Sequence, residues 1–169
     1  PRADANPRDV ANLAVWRVAD GGEVLRMVQS KWPAFNFSAD GAWAVRAVQG
    51  VVHVHNGDLS TSSEPQSKLA VELPITKSAV IAVAAASPMC AVFVPHNKSN
   101  QATARVFRLP NLAEDLMQHA FGRSDDAALS WSPSGMALLV LAKSDVDRSG
   151  KSYYGSSSVR VMHVRERQS

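Results

Sequence analysis

One pattern of a turn followed by a strand recurs three times along the chain, and it limits the fold more than any other feature. The turn contains Ser with Pro or Gly, and a short apolar run follows it. The copies are residues 37–41 before 42–45, 87–90 before 91–94, and 131–135 before 136–141. Their marker serines, Ser38, Ser87 and Ser132, are 49 and 45 residues apart. Recurrence at about 40–50 residues is typical of the blades of a β-propeller.

Each copy predicts two apolar strands joined by a turn, because Pro fixes φ and Gly accepts a positive φ. Residues 51–55, 104–109 and 159–164 alternate apolar with polar side chains, which predicts half-buried strands. We assign these three segments to the outermost strand of each blade. Residues 13–18 show the same alternation and are interpreted as the closing strand of an earlier blade. The predicted fold is therefore all-β: a β-propeller fragment of about three four-stranded antiparallel blades plus one leading strand.

The predicted boundaries follow the repeat within a single propeller segment over residues 1–169. The leading strand covers about 12–19, and the blades cover about 33–56, 78–110 and 126–165. Residues 111–121 are interpreted as a long connection with at most one helical turn, in which Glu114 and Asp115 suit the first turn. The chain starts at Pro1, so we expect a piece of a longer protein. Open propeller edges would then be closed by the remaining blades, or by pairing between copies of the fragment.

Composition excludes several classes of protein. No apolar run approaches the roughly 18–20 residues that cross a membrane. Cys90 is the sole cysteine, which predicts a reducing compartment and a buried core position rather than a disulfide framework. The net charge of +3 is only a weak indication of a nucleic-acid partner.

The titratable residues suggest neither catalysis nor a cofactor. His53 and His55 are two apart on a predicted strand and share one face, but a metal site needs a further ligand. Residues 145–150 resemble the opening of a calcium loop, yet its twelfth position is Ser156 rather than Glu. A hairpin turn is the favoured interpretation there. We predict a non-enzymatic protein with no metal site and no cofactor.

The loop over residues 143–158 mixes basic and aromatic side chains. Such side chains bind RNA when the charges meet phosphates and the rings stack on bases. The candidates are Lys143, Arg148, Lys151, Tyr153 and Tyr154. Composition alone favours the alternative that the two tyrosines pack on the propeller rim.

Residues 130–159 carry a family resemblance. A W-[NS]-x-x-G turn leads into an apolar strand, then a D-V-D loop that S-Y-Y-G closes, at residues 131–135, 145–147 and 152–155. This order resembles eukaryotic translation initiation factor 2A. The plain serine run at 156–158 departs from the family pattern.

The resemblance implies a propeller of about nine blades, with this chain as the C-terminal part of it. It implies a cytoplasmic, non-catalytic scaffold in translation initiation that binds initiator tRNA and the small ribosomal subunit, with messenger RNA as a further partner. In the family, contacts with tRNA and messenger RNA lie largely after the propeller. The five loop residues would then face RNA or the ribosome.

Two alternatives remain open on the sequence. The propeller of initiation factor 3 subunit b shares the W-S-P-x-G turn but lacks the D-V-D and S-Y-Y-G loop. A generic WD-repeat scaffold for protein interactions would have closing strands that end in Trp-Asp. The nearest equivalents here are Trp16-Arg17 and Phe107-Arg108.

Overall fold

Strands make up the regular structure of this chain. The computed structural model describes residues 11–29, 32–48, 50–59, 65–73, 78–145 and 155–164, and within these ranges it contains thirteen strands and no helix. The strands are β1 Leu13–Trp16, β2 Glu23–Met27, β3 Asn36–Phe37, β4 Trp43–Val48, β5 Val51–Asn56, β6 Ser67–Ala70, β7 Val80–Val83, β8 Met89–Val94, β9 Thr103–Arg108, β10 Asp115–Ala120, β11 Asp126–Trp131, β12 Ala137–Lys143 and β13 Ser157–His163. None of the described segments is a helix that could cross a membrane.

The strands form a two-stranded hairpin and three larger antiparallel sheets, in sequence order. A hairpin of β1 and β2 precedes the first sheet, β3-β4-β5-β6. The middle sheet is β7-β8-β9-β10, and the last sheet is β11-β12-β13 over the described residues. Each sheet is a meander whose neighbouring strands are hydrogen-bonded, and β7 contacts both β3 and β11. The predicted all-β fold is confirmed, and the architecture is consistent with a propeller fragment.

The position of the outermost strands differs from the prediction. The alternating segments at 51–55 and 104–109 are β5 and β9, which are the third strands of their sheets. The edges are β6 and β10, which lie beyond the predicted segments 33–56 and 78–110. The leading strand β1 is likewise not alone, because it pairs with β2.

The prediction of a long connection with at most one helical turn at residues 111–121 is wrong in the second half of that segment. That half is β10, which pairs with β9 along its length. Arg105 on β9 donates from Nε to Oδ2 of Asp115 on β10 at 2.9 Å. The acidic residue interpreted as a helix start is therefore one half of a cross-strand ion pair.

Two of the three marker serines occupy equivalent turns. Trp43 N donates to Ser38 Oγ at 2.9 Å, and Ala137 N donates to Ser132 Oγ at 3.0 Å. In both turns the serine carbonyl also accepts from the glycine three residues later, at 2.9 Å. These serines thus close the turn through side chain and backbone together.

Ser87 is not the third member of this set. In the first and last sheets, the N–H of the marker serine donates to the carbonyl of the residue five positions later. In the middle sheet the equivalent donor is Ala84, whose N–H donates to Met89 O at 2.9 Å. Ala84 lies 46 residues after Ser38 and 48 before Ser132. The middle turn is therefore closed without the serine hydroxyl, and the Ser-Pro pair falls three residues late in the repeat.

Two apolar clusters join the three sheets. One lies between the first and middle sheets, and the other lies between the middle and last sheets. Their largest fully buried members are Phe93, Phe107, Met89, Leu112, Leu138, Val45, Val52, Val54, Val92, Val106, Val140 and Cys90. The predicted core position of Cys90 is confirmed, and burial raises the pKa of its thiol to about 12. The middle sheet is covered on both faces.

The tryptophan of the W-S-P-S-G turn connects neighbouring sheets directly. Trp131 Nε1 donates to the carbonyl of Ala82 on β7 at 3.0 Å. The bond fixes β11 beside β7, so the residue that marks the repeat in the sequence also sets the packing of one sheet on the next. The opposite face of the last sheet exposes apolar side chains, including Val159 at 64% and Val161 at 49%.

Candidate nucleic-acid interface

The predicted RNA-binding loop begins at the end of β12. Lys143 is exposed there and is opposite Ser157 in the last register pair of the β12–β13 hairpin. Arg148, Lys151, Tyr153 and Tyr154 lie outside the described residues. The structure therefore describes one of the five predicted site residues, Lys143, and its side chain is exposed.

The base of this loop is held by several contacts. Ser144 N donates to Ser156 O at 2.8 Å, and Asp145 N donates to Asp125 Oδ2 at 2.9 Å. Gly155 approaches Ser144 so closely that a Cβ would overlap the Ser144 carbonyl. The glycine of the S-Y-Y-G element is therefore required by this close approach of the two strand ends, and the loop leaves a rigid hairpin.

Of the calcium-like stretch at 145–150, only Asp145 is described. Across the ranges that the structure describes, no three His, Cys, Asp or Glu side chains are grouped so as to hold a metal ion. The Asp145 N–H is committed to the carboxylate of Asp125.

A second surface was not predicted as a site. Arg46 on β4 is opposite His53 on β5, and His53 is opposite Lys68 on β6. Directly opposite residues in antiparallel strands share one face, so these side chains form a row across three strands. His55 lies two residues along β5, with its ring centroid 5.8 Å from that of His53. We call Arg46, His53, His55 and Lys68 the basic face.

Arg46 has only uncharged partners among those that can be assigned. Its guanidinium carbon lies 5.3 Å from the Phe35 ring centroid, in cation–π geometry. Nη2 donates to Gln29 Oε1 at 3.2 Å, and Nη1 donates to Met27 Sδ. Within the described residues, the buried Nε of Arg46 and the buried Nε2 of His55 have no hydrogen-bond partner.

The electrostatics of the basic face are one-sided. Burial lowers the pKa of Arg46, and burial is also the main cause of the lowered pKa values of His53 and His55. The charges of Arg46 and Lys68 lower the pKa of both imidazoles further. Within the described residues, the charged groups that lower the pKa values of these imidazoles are cationic.

The sequence contained part of the signal for this surface. The prediction that His53 and His55 share a face is confirmed by their ring contact. Arg46 and Lys68 were missed because they join the histidines through strand register rather than along the chain. Aligning β4 and β5 about the turn at Gly50 would have placed Arg46 opposite His53.

Comparison with known proteins gives one consistent family. The family model described as "Eukaryotic translation initiation factor eIF2A" matches residues 119–169. Eukaryotic translation initiation factor 2A of Schizosaccharomyces pombe is 32% identical over 169 residues, covering 96% of this chain and 27% of the relative. The Caenorhabditis elegans protein of the same name is 29% identical, covering 100% of this chain and 29% of its own length.

Solved structures agree with the sequence comparison. A crystal structure described as that of "the eukaryotic initiation factor" superposes with a TM-score of 0.74 and 26% identity, over 96% of this chain and 37% of that chain. The hydrazine synthase of Kuenenia stuttgartiensis has a TM-score of 0.58 at 10% identity, which is a likeness of fold alone. The chain thus spans less than a third of the curated relatives cited above. The resemblance found in the sequence is confirmed: this chain belongs to the eukaryotic translation initiation factor 2A family.

Proposed function

We propose that this chain is a non-catalytic scaffold segment of a cytoplasmic translation initiation factor that binds initiator tRNA and the small ribosomal subunit. The observation that carries the proposal is the 32% identity to such a factor across 96% of the chain. The segment forms blades in the C-terminal part of the propeller, and the remaining blades belong to the rest of the protein.

The architecture supports a role as a scaffold. The middle sheet is packed on both sides, and Trp131 ties the last sheet to it. Binding residues are commonly carried on loops that a rigid scaffold of this kind positions. The loop that starts at Lys143 leaves a hairpin whose base is fixed by Gly155 and by Ser144.

The loop residues are the proposed contact with RNA or the ribosome. Reversing Lys143, Arg148 and Lys151 to Glu is expected to weaken binding of the full-length factor to the small ribosomal subunit. The slope of the logarithm of the binding constant against the logarithm of the salt concentration should also become shallower. Fewer phosphate contacts mean that fewer counterions are released on binding. Replacing Tyr153 and Tyr154 with Ala should weaken binding with little change in that slope, since stacking carries no net charge. Co-sedimentation at several salt concentrations measures both effects.

A matched pair of double variants controls for net charge. Lys143→Glu with Lys151→Glu should lose subunit binding, whereas Lys98→Glu with Arg123→Glu should retain it. Lys98 and Arg123 are exposed on loops of the middle sheet and of the link that follows it. Equal co-sedimentation of both double variants and the unmodified factor would reject the loop as the contact.

A further inference from the structure

We infer that Asp125 is a positioning residue for the loop after β12, because it fixes Lys143 and the start of that loop to the middle sheet. Asp125 lies in the link between β10 and β11, directly before the last sheet. The inference rests on the proposed function, in which this loop contacts RNA or the ribosome. It adds a residue outside the loop that acts through Lys143 rather than on the partner itself.

Asp125 contacts the end of β12 with both its backbone and its side chain. Its N–H donates to Lys143 O at 2.7 Å, and its Oδ2 accepts from Asp145 N at 2.9 Å. Between these two bonds lies Ser144, whose N–H donates to Ser156 O at 2.8 Å. Asp125 therefore holds the backbone on both sides of the point where the chain leaves the hairpin and the loop begins.

The other carboxylate oxygen of Asp125 faces the middle sheet. Oδ1 lies 3.5 Å from Nδ1 of His96, which follows β8. The same Nδ1 is 3.0 Å from Ser124 O, and the His96 N–H donates to that carbonyl at 2.9 Å. Because both neighbours of Nδ1 are acceptors, Nδ1 is the nitrogen that carries the proton. The Asp125 side chain is 15% exposed, so protein donors replace most of the water around its carboxylate.

The middle sheet holds its own long loop in a similar way. Glu72 lies in the link before β7, as Asp125 lies in the link before β11. Glu72 Oε2 accepts from Asn100 Nδ2 at 2.8 Å, and its carbonyl accepts from Asn97 Nδ2 at 3.2 Å. Both asparagines belong to the loop between β8 and β9, whereas two residues separate β4 from β5 in the first sheet. In each sheet where this loop is long, an acidic residue before the sheet holds it.

The direction of the effect separates positioning from simple electrostatics. Removing the Asp125 carboxylate takes a negative charge from the base of the loop, so charge alone would tighten binding to an anionic partner. Loss of positioning acts in the opposite direction, because a loop that is no longer held must be ordered when it binds. A weaker interaction after removal of this acidic group is therefore the sign of a positioning residue.

The test measures co-sedimentation of the full-length factor with the small ribosomal subunit. Asp125→Ala is expected to weaken binding about tenfold, the equivalent of one hydrogen bond to a charged group. Asp125→Asn should recover part of this loss, since its amide oxygen can still accept from the Asp145 N–H. Glu72→Ala is the matched control. It removes the same charge and releases the loop of the middle sheet instead, so binding should be unchanged.

Amide hydrogen exchange of the full-length factor tests the contact without the ribosome. Exchange at Asp145 should be faster in the Asp125→Ala chain than in the unmodified chain, because the amide loses its acceptor. Exchange in the buried strands should be the same in both chains, which establishes that the variant is folded. Unchanged exchange at Asp145 would contradict the role of Asp125.

Two binding results would overturn the inference. One is an Asp125→Ala factor that binds the subunit as tightly as the unmodified factor, or more tightly. The other is an undiminished loss from Asp125→Ala at low salt in a factor that already carries Lys143→Glu and Lys151→Glu, since a residue that acts through the loop should then have little left to affect. Full binding by the Lys143→Glu and Lys151→Glu factor would reject the loop contact itself, whereas failure of Asp125→Ala alone rejects only the positioning role.

Discussion

The first and middle sheets have the same strand order but differ in the partners of their charged side chains. In the middle sheet the arginine on the third strand is neutralised by a carboxylate on the fourth strand, and both sheet faces are covered. In the first sheet, Arg46 shares a face with two histidines and a lysine. Its assigned contacts are Phe35, Met27 and Gln29.

The difference between the two sheets lies in how each one balances its charges. A sheet that is enclosed between two others must cancel its charges internally, because desolvated charge is costly. On the side away from the middle sheet, the first sheet carries Arg46, His53 and Lys68 in one row.

The largest expected effect on stability comes from truncating a phenylalanine in the middle sheet rather than one in the first sheet. Phe93, at 0% exposure in the middle sheet, contacts the buried cluster shared with the last sheet. Phe93→Ala should lower the free energy of unfolding by about 3–5 kcal/mol, measured by chemical denaturation. Phe37→Ala, at 51% exposure in the first sheet, should cost under about 1 kcal/mol. Equal losses would mean that the first sheet is as enclosed as the middle one.

The next contrast concerns two turn glycines with similar backbone. Gly41 has φ of +68° and no atom within 4 Å of a built Cβ, whereas Gly135 has φ of +72° and packs against Ser87 of the middle sheet. Gly41→Ala should cost about 1–2 kcal/mol through strain in the left-handed region. Gly135→Ala should cost about 1–3 kcal/mol more, because its Cβ would overlap the Ser87 side chain.

Thermal or chemical unfolding of the two glycine variants measures this difference. Adding Ser87→Gly to the Gly135→Ala chain should recover the extra loss and leave the strain. Equal losses of stability in the Gly41→Ala and Gly135→Ala chains would contradict the close contact between Gly135 of the last sheet and Ser87 of the middle sheet.

The smallest contrast compares the two arginines by stability. Arg105→Gln should lower the free energy of unfolding by about 0.5–1 kcal/mol, since its ion pair with Asp115 is partly exposed on both sides. Arg46→Gln should change stability by less than this, because it removes a cation from beside two histidines and a lysine. Parallel denaturant titrations decide the order, and a larger loss for Arg46→Gln would show that its positive charge stabilises the fold.

The sequence predicted the architecture well because turns and alternation are local properties. The Ser38 and Ser132 turns closed as expected, and their glycines have positive φ. Ser87 was misplaced because backbone bonds alone close the middle turn, so its Ser-Pro pair is free to shift. The β10 strand was missed because Glu114 and Asp115 also suit a helix start, and only the pairing of Asp115 with Arg105 resolves the choice.

The candidate sites show the same limit. The loop after Lys143 could be found from composition and from the D-V-D and S-Y-Y-G order, since both are contiguous. The basic face is built from three strands, and residues 46, 53 and 68 show no pattern along the chain. Register brings them together, and register depends on the turn and on the core-facing residues Val45, Val52 and Val54.

The most direct test of the difference between the two sheets is an NMR titration of the His53 and His55 ring protons. Both should titrate below the ordinary value of about 6.5, since burial and the nearby cations disfavour protonation. Because both pKa values are lower in the folded chain than in the unfolded chain, the free energy of unfolding should fall as the pH drops through about 6.5. Values at or above about 6.5 would contradict the account.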